Sequence, residues 1–322
     1  MLKIAIVGVG GMGQVHAANY TKIAGCQVVA TVNNSEAGMA KAKEMNLPSY
    51  STLSELVAQV EVDVVDICTP TFKHKELVLE ALELEKHVIV EKPMALHEAD
   101  AREMFAKARE KGRLLFVAQV LQFTKEVEIL RTLVRENTLG KPLDGYFERL
   151  AGRPEWSQGG WLFDKEKSGV LPFDLHVHDL DIIVSLFGEP MEVSYTFSKG
   201  EKSDMAEQYR FVYLYPDKTM AAEAAWYNAD FPFTARWRVY FEEGLLVQDG
   251  QNLTLYQKGK EPMVYDTTEE ILVSTGINLP PTGMFHRELS HFLHCIREGI
   301  PSPVVLEEQI LTTIKLLERI TF

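Results

Sequence analysis

Three stretches of the chain hold residue types whose chemistry depends on being brought together. They are Gly8-Val9-Gly10-Gly11-Met12-Gly13, the segments Thr69-Pro70-Thr71 and Glu91-Lys92-Pro93, and Asp174-Leu175-His176-Val177-His178. The first is a G-x-G-x-x-G that directly follows an apolar run and opens a helical pattern, the context in which the motif binds a dinucleotide. Gly8 allows the tight turn, Gly10 lets a pyrophosphate approach the backbone, and Gly13 lets the helix lie close on the strand. The backbone from Val9 through Gly11 and Met12 then faces the pyrophosphate, held by the helix amides and dipole. The plainer alternative is a set of glycines that serve a turn and nothing else. Where the second strand ends, an acidic residue commonly bonds the adenosine ribose; this chain has Asn33 followed by Asn34. An amide can bond a ribose hydroxyl but does not repel a 2′-phosphate, and no arginine stands beside it to attract one. NAD and NADP both remain open, with NAD favoured.

In doubly wound folds ligands bind at the carboxyl ends of the strands, so two further strand ends matter. One ends in Thr69, Pro70 and Thr71 with His74 just beyond, the other in Glu91 and Lys92. Pro93 disfavours the helical conformation at Lys92 and holds the lysine extended at the strand tip; the plainer reading is a solvated charge at a turn. Gln119 ends a later strand, where it could touch the cofactor or a substrate or merely cap the strand. Arg153 and Trp161 lie in a loop and could line a pocket or simply pack there. His286 and His291 fall in a helical pattern and read as structural.

The third stretch starts a helix with Pro172 near its beginning and Gly188 after its end. At about 100° per residue, Asp174, His178, Asp181 and Ser185 share one stripe, while Leu175, Ile182, Ile183 and Leu186 cover another. The acid and imidazole stripe admits three readings: a metal site, a hydrogen-bonded polar seam, or a proton-handling group paired with the lysine. No third-ligand cluster stands elsewhere, and His176 points about 160° away from His178 on a helical wheel, so no metal is expected.

These residues need elements to position them. Residues 3–8, 27–32, 62–68, 87–90 and 114–119 are short apolar runs that alternate with helical patterns, the signature of a parallel sheet covered on both faces. Beyond the helix that ends near Leu139-Gly140, residues 145–150, 191–197, 208–215, 219–226, 236–241 and 244–247 read as strands at hairpin spacing, closed by helical patterns at 284–297 and 307–320. The expected architecture is α/β: an N-terminal Rossmann doubly wound parallel sheet over 1–121, and over 122–322 an α+β domain with a large, mainly antiparallel open sheet. With 322 residues, 46% hydrophobic and 25% charged, the chain is long enough for two such domains. A formal net charge of −13 leaves no basic patch for nucleic acid or for anionic membrane surfaces. The apolar run 4–7 is too short for a span or a signal core, and a cytoplasmic location is expected. Three cysteines, Cys26, Cys68 and Cys295, form no CxxC pair and read as reduced thiols.

Taken together, GVGGMG, CTPTFKH at 68–74, VEKPMAL at 90–96 and SGVLPFDLHVHDLD at 168–181 resemble the glucose-fructose oxidoreductase and inositol dehydrogenase family (Gfo/Idh/MocA). The likeness runs through essentially the whole chain, including LGKP at 139–142. It implies that Lys92, Asp174 and His178 form the catalytic set, with Lys92 as acid/base assisted by His178 and Asp174. It also implies a nicotinamide cofactor, a sugar, inositol or related polyol as substrate, and a homodimer or homotetramer built through the C-terminal sheet. Lys92, Gln119, Arg153, Trp161, Asp174 and His178 are the residues expected to face the substrate. Two departures bear on the pocket: His176 stands where the family often has glycine, and Gln122-Phe123 where an Arg-Phe pair is common. A catalytically idle dinucleotide sensor, cofactor-assisted glycosidic cleavage and imine reduction are the rival functions for this scaffold.

Overall fold

In the strand that leads to the glycine turn, four residues in succession are buried, and the same holds for the strands at 64–67 and 87–91, so both faces of this sheet are covered. The computed structural model describes residues 1–322 apart from Trp156, Lys202, Asp204, Gln251 and Asn278. The chain divides into two compact units, Met1–Phe123 with Glu269–Leu311, and Thr124–Thr268 with Thr312–Phe322.

The first unit runs β1 (Leu2–Val7), α1 (Gly11–Tyr20), β2 (Cys26–Val32), α2 (Glu36–Glu44), β3 (Ser49–Tyr50), α3 (Leu53–Gln59), β4 (Val64–Ile67), α4 (His74–Glu83), β5 (His87–Glu91), α5 (Glu98–Lys111) and β6 (Leu115–Ala118). The six strands are parallel, in the order β3-β2-β1-β4-β5-β6. Between β1 and β4 the winding reverses, which opens a crevice at the carboxyl ends of those strands.

In the second unit the chain forms α6 (Lys125–Glu136), β7 (Pro142–Gly152), α7 (Lys165–Ser168), α8 (Val177–Phe187), β8 (Glu192–Ser198), β9 (Gln208–Leu214), β10 (Thr219–Tyr227), β11 (Thr234–Phe241), β12 (Gly244–Asp249), β13 (Asn252–Tyr256) and β14 (Met263–Tyr265). Its eight strands lie in the order β14-β13-β12-β11-β7-β10-β9-β8. Only the β7–β10 pair is parallel. Alternating burial along β9 and β11 shows one covered face and one open face. The covered face carries Phe147, Phe211, Tyr213 and Val239.

Two helices follow, α9 (Met284–Glu298) and α10 (Glu307–Thr321). The expected division at 121/122 left residues 269–311 in the second half, whereas they return to the first unit. The cause is packing: Met284 and Phe285 of α9 join Val15 of α1 and Val120 in one buried cluster, and Phe292 stacks on Phe116 at 4.9 Å between ring centroids. No helix among the described residues is long and apolar enough to cross a membrane.

Candidate active site

The turn from β1 into α1 is built from what its glycines lack. Gly8 has φ +89°, and a Cβ there would lie 2.9 Å from the Cys68 carbonyl oxygen, so no side chain fits between the tips of β1 and β4. A Cβ on Gly13 would meet the Gly8 carbonyl oxygen at 2.1 Å, which is how closely the helix lies on the turn. Gly10 differs: nothing stands within 4 Å of its would-be Cβ. It is the N-cap of α1, and no side chain caps the helix, so the first amides of α1 are left for another acceptor. Beside the turn, the buried Thr69 hydroxyl has no hydrogen-bond partner among the described residues. Uncapped amides, open space over Gly10 and an unsatisfied hydroxyl fit the pyrophosphate of a dinucleotide. Met12 points the other way, packed against the cluster around Val15 and Phe285.

Asn33, expected at the adenosine ribose, is held within the fold. Its Oδ1 accepts from the Val9 amide at 2.9 Å, and its Nδ2 donates to Thr31 Oγ1 at 2.9 Å and to Ser49 Oγ at 3.0 Å. Only 5% exposed, it ties the glycine turn to the end of β2. The neighbouring Asn34 is exposed, and Ser35 caps α2.

His74 is held in the same way. It is buried, with Nδ1 2.9 Å from the Pro93 carbonyl oxygen and Nε2 2.9 Å from that of Thr69. Burial pushes its pKa below the usual range, against the pull of those carbonyls. The ring therefore joins the tips of β4 and β5 and leaves the cofactor to the backbone around it. Thr71 is buried at the start of a short 3-10 turn, Thr71–Lys73, and Pro70 precedes it half-buried. Lys92, at the tip of β5, is half-buried, and the Lys92–Pro93 peptide bond is cis. Glu91 points inward: one carboxylate oxygen accepts from the Lys92 amide at 3.0 Å, and the other lies 3.1 Å from His16 Nε2. Gln119 is buried at the end of β6.

In the second unit, the helix expected from Pro172 onward is not uniform. Residues Pro172–His176 form a π-helical turn in which the Val177 amide donates to the Pro172 carbonyl, and α8 follows. π-Turns recur at functional sites because they re-aim side chains. Asp174 and His178 are half-buried amid a run of buried neighbours, and Ser185 shares this partial exposure. Asp181, expected on the same stripe, is buried. Asp179 forms a paired hydrogen bond with Arg149 of β7, at 3.1 and 2.9 Å, both side chains buried. Arg153 is exposed with its guanidinium over the Phe163 ring at 4.4 Å, and Trp161 is half-buried in the turn Gln158–Phe163.

His176 does not alter a pocket. It is fully buried, stacked on Phe211 at 3.9 Å between centroids, with Nε2 2.6 Å from the Tyr213 hydroxyl. Burial, and secondarily the Arg149 charge, lowers its pKa from 6.5 to about 3. A histidine kept neutral in the folded state contributes stability above the unfolded pKa that is lost as pH falls from 6.5 towards 3. His176→Phe should therefore flatten the loss of unfolding free energy between about pH 6 and 4 by a few kcal/mol, read from urea titrations at each pH. An unchanged slope would show that His176 does not govern this acid sensitivity.

Sequence reasoning missed one set of residues altogether. His16, Tyr20, Asp66 and Glu288 are buried beneath the glycine turn, with Asp66 Oδ2 taking His16 Nδ1 at 2.9 Å and the Tyr20 hydroxyl at 2.8 Å. An acid inside the otherwise apolar run of β4 was the available signal, because a buried carboxylate requires partners.

Residues 2–119 match the oxidoreductase family with an NAD-binding Rossmann fold (GFO_IDH_MocA), and residues 127–247 match the C-terminal domain of the same family. The chain belongs to this Gfo/Idh/MocA family, and its first unit is an NAD-binding Rossmann fold. It is 31% identical over 189 residues to a 2,7-anhydro-N-acetylneuraminate hydratase of Escherichia coli (strain K12), covering 59% of this chain and 50% of that one. Over 202 residues it is 29% identical to a myo-inositol 2-dehydrogenase of Thermotoga maritima, covering 62% and 58% respectively. The chain thus spans about half the length of the curated relatives it matches. Among solved structures, a levoglucosan dehydrogenase with NADH and levoglucosan superposes with a TM-score of 0.83 at 20% identity, covering 99% of this chain and 96% of that one.

Proposed function

We propose that this chain is an NAD-dependent dehydrogenase or reductase that moves a hydride between the nicotinamide and a secondary alcohol or ketone of a sugar, inositol or related polyol. The observation that carries the reading is Lys92, half-buried at the tip of β5, two strands from the glycine turn in a sheet of the NAD-binding family. When bound, the dinucleotide supplies the hydride acceptor. Lys92 takes the hydroxyl proton as the carbon gives up its hydride, and returns a proton to the oxygen in the reverse direction. His178 bonds the same substrate oxygen, and Asp174, one helical turn away, orients and charge-balances the imidazole. Gln119, Arg153 and Trp161 contribute to holding the substrate, with stacking from the indole and hydrogen bonds from the guanidinium. The myo-inositol 2-dehydrogenase relative supports the substrate class.

The open face of the eight-stranded sheet is the surface for a homodimer or homotetramer. It carries Tyr146, Glu223 and Arg210 joined in one network, with Arg236 paired to Glu148. The place of action is the cytoplasm.

A screen of NAD and NADP against inositols, sugars and their ketones, followed at the nicotinamide absorbance, tests the reading. Cofactor reduction or oxidation with a member of this class is expected; silence across all of them overturns it. The hydratase relative favours one second reading, in which a transient oxidation opens an anhydro or glycosidic bond. Product formation with no net change in cofactor absorbance would select that reading.

A further inference from the structure

We propose that His16 is a positioning residue for Lys92: an imidazolium bracket, held by Asp66 and holding Glu91, that ties the helix behind the glycine turn to the strand tip bearing the lysine. The proposal rests on the role given to Lys92 above.

His16 Nδ1 lies 2.9 Å from Asp66 Oδ2 and Nε2 lies 3.1 Å from Glu91 Oε1, with the imidazole side chain wholly buried. The Nδ1 contact is a hydrogen bond to Asp66, whereas Nε2 meets Glu91 at ion-pair distance without forming a hydrogen bond. Burial works against the charged ring, but the Asp66 carboxyl beside Nδ1 outweighs it and holds its pKa well above the ordinary histidine range.

The other groups facing the ring complete the charge count. On its own helix, the Tyr20 hydroxyl donates to Asp66 Oδ2 at 2.8 Å. From the end of β4, Cys68 Sγ lies 3.5 Å from Nδ1 and 3.6 Å from Asp66 Oδ1, and burial pushes this thiol up so that it stays protonated. From α9, Glu288 is fully buried and faces the cluster, and burial holds its carboxyl well above the usual range. The imidazole thus sits between the carboxyl groups of Asp66 and Glu91, with Lys92 directly after the end of β5. His16, Asp66 and Cys68 also have the spacing of a metal site, with ligand atoms within 4.8 Å of one another. Two donors already share Asp66 Oδ2 and the thiol keeps its proton, which is the arrangement of a hydrogen-bonded bracket.

The mechanical consequence follows from where each partner is rooted. His16 belongs to α1, whose amino end faces the pyrophosphate site. Glu91 ends β5, and its second oxygen accepts the Lys92 amide at 3.0 Å. Helix, imidazole, carboxylate and lysine backbone form one continuous chain of contacts within the first unit, so the lysine is set in register with the cofactor helix. A neutral residue at either link leaves a buried carboxylate or donor unpaired and frees the strand tip.

The test uses the full chain with His16→Gln, Glu91→Gln and Asp66→Asn, and Lys92→Ala alongside. NAD+ affinity is measured by calorimetry, and kcat and KM are determined with the substrate found in the screen, per NAD+-binding site. Histidine 15N NMR reports the protonation of His16. Glu91→Gln, which preserves shape, should bind NAD+ within about threefold of wild type, lose kcat about 10- to 100-fold and leave KM little changed. His16 should keep an imidazolium signature above the ordinary histidine range in the wild type, and should lose its proton at lower pH in Glu91→Gln and Asp66→Asn. If His16→Gln fails to fold, Glu91→Gln and the NMR signature still decide. Wild-type kcat in Glu91→Gln, or a neutral imidazole at pH 7, overturns the bracket. An inactive Lys92→Ala beside a fully active Glu91→Gln would remove the positioning role alone; a fully active Lys92→Ala would remove the catalytic reading and the positioning role with it.

Discussion

Lys92→Ala should abolish turnover, with kcat falling by about 10²- to 10⁴-fold, the usual contribution of a positioned acid/base, while NAD+ still binds. The two effects separate because the lysine and the pyrophosphate site are built from different parts of the same crevice. The cofactor site consists of the amides of α1 and the space over Gly10, none of which depends on the ammonium. Lys92 is at the tip of β5 with its amide held by Glu91, so truncation at Cβ leaves that backbone in place. Binding by fluorescence and turnover by nicotinamide absorbance read the two properties independently. Near wild-type turnover would take Lys92 out of the mechanism, and a parallel loss of NAD+ affinity would mean that the variant damages the crevice as a whole.

Gly10→Val should cost at least about 100-fold in NAD+ affinity, roughly 2.7 kcal/mol, with little change in Tm. Its φ of −79° is open to any residue, and a Cβ there meets nothing within 4 Å, so the fold tolerates the side chain. The pyrophosphate does not, because the added methyls occupy the space through which it reaches the helix amides. Gly13→Val provides the contrast: its Cβ would clash with the Gly8 carbonyl oxygen at 2.1 Å, so stability itself should fall. Wild-type NAD+ affinity in Gly10→Val would place the dinucleotide elsewhere.

What was legible in the sequence were the features that repeat with a simple period. The parallel strands stood out because Val64–Ile67 and its neighbours are buried on both faces and so read as unbroken apolar runs. The glycine turn stood out because its residue types answer to backbone geometry. A two-residue strand such as Ser49–Tyr50 has no periodicity to detect, and α3 buries only Leu53 and Leu56. The apolar face of α9 was visible, but amphipathicity says that a face is covered without saying by what; Val15 and Val120 lie far from it in sequence.

The site was legible in residue type and less so in role. Lys92, Asp174 and His178 came from motifs, yet the wheel that joined Asp174 to Asp181 assumed a uniform helix, and the π-turn at Pro172–His176 breaks that assumption. Asn33 and His74 stand where ligand-binding residues belong, and their polar atoms also bond neighbouring backbone and hydroxyl groups. Such second-layer bonds depend on which loops meet at the strand tips, and spacing along the chain does not encode that.

The central claim is that the ammonium of Lys92 and the imidazole of His178 act on one substrate oxygen. A crystal structure of the chain with NAD+ and a substrate from the screen measures this directly. The account predicts both nitrogens within about 3 Å of the reacting oxygen, or joined to it through one water; separation of either from that oxygen by more than roughly twice a water-bridged distance would contradict it.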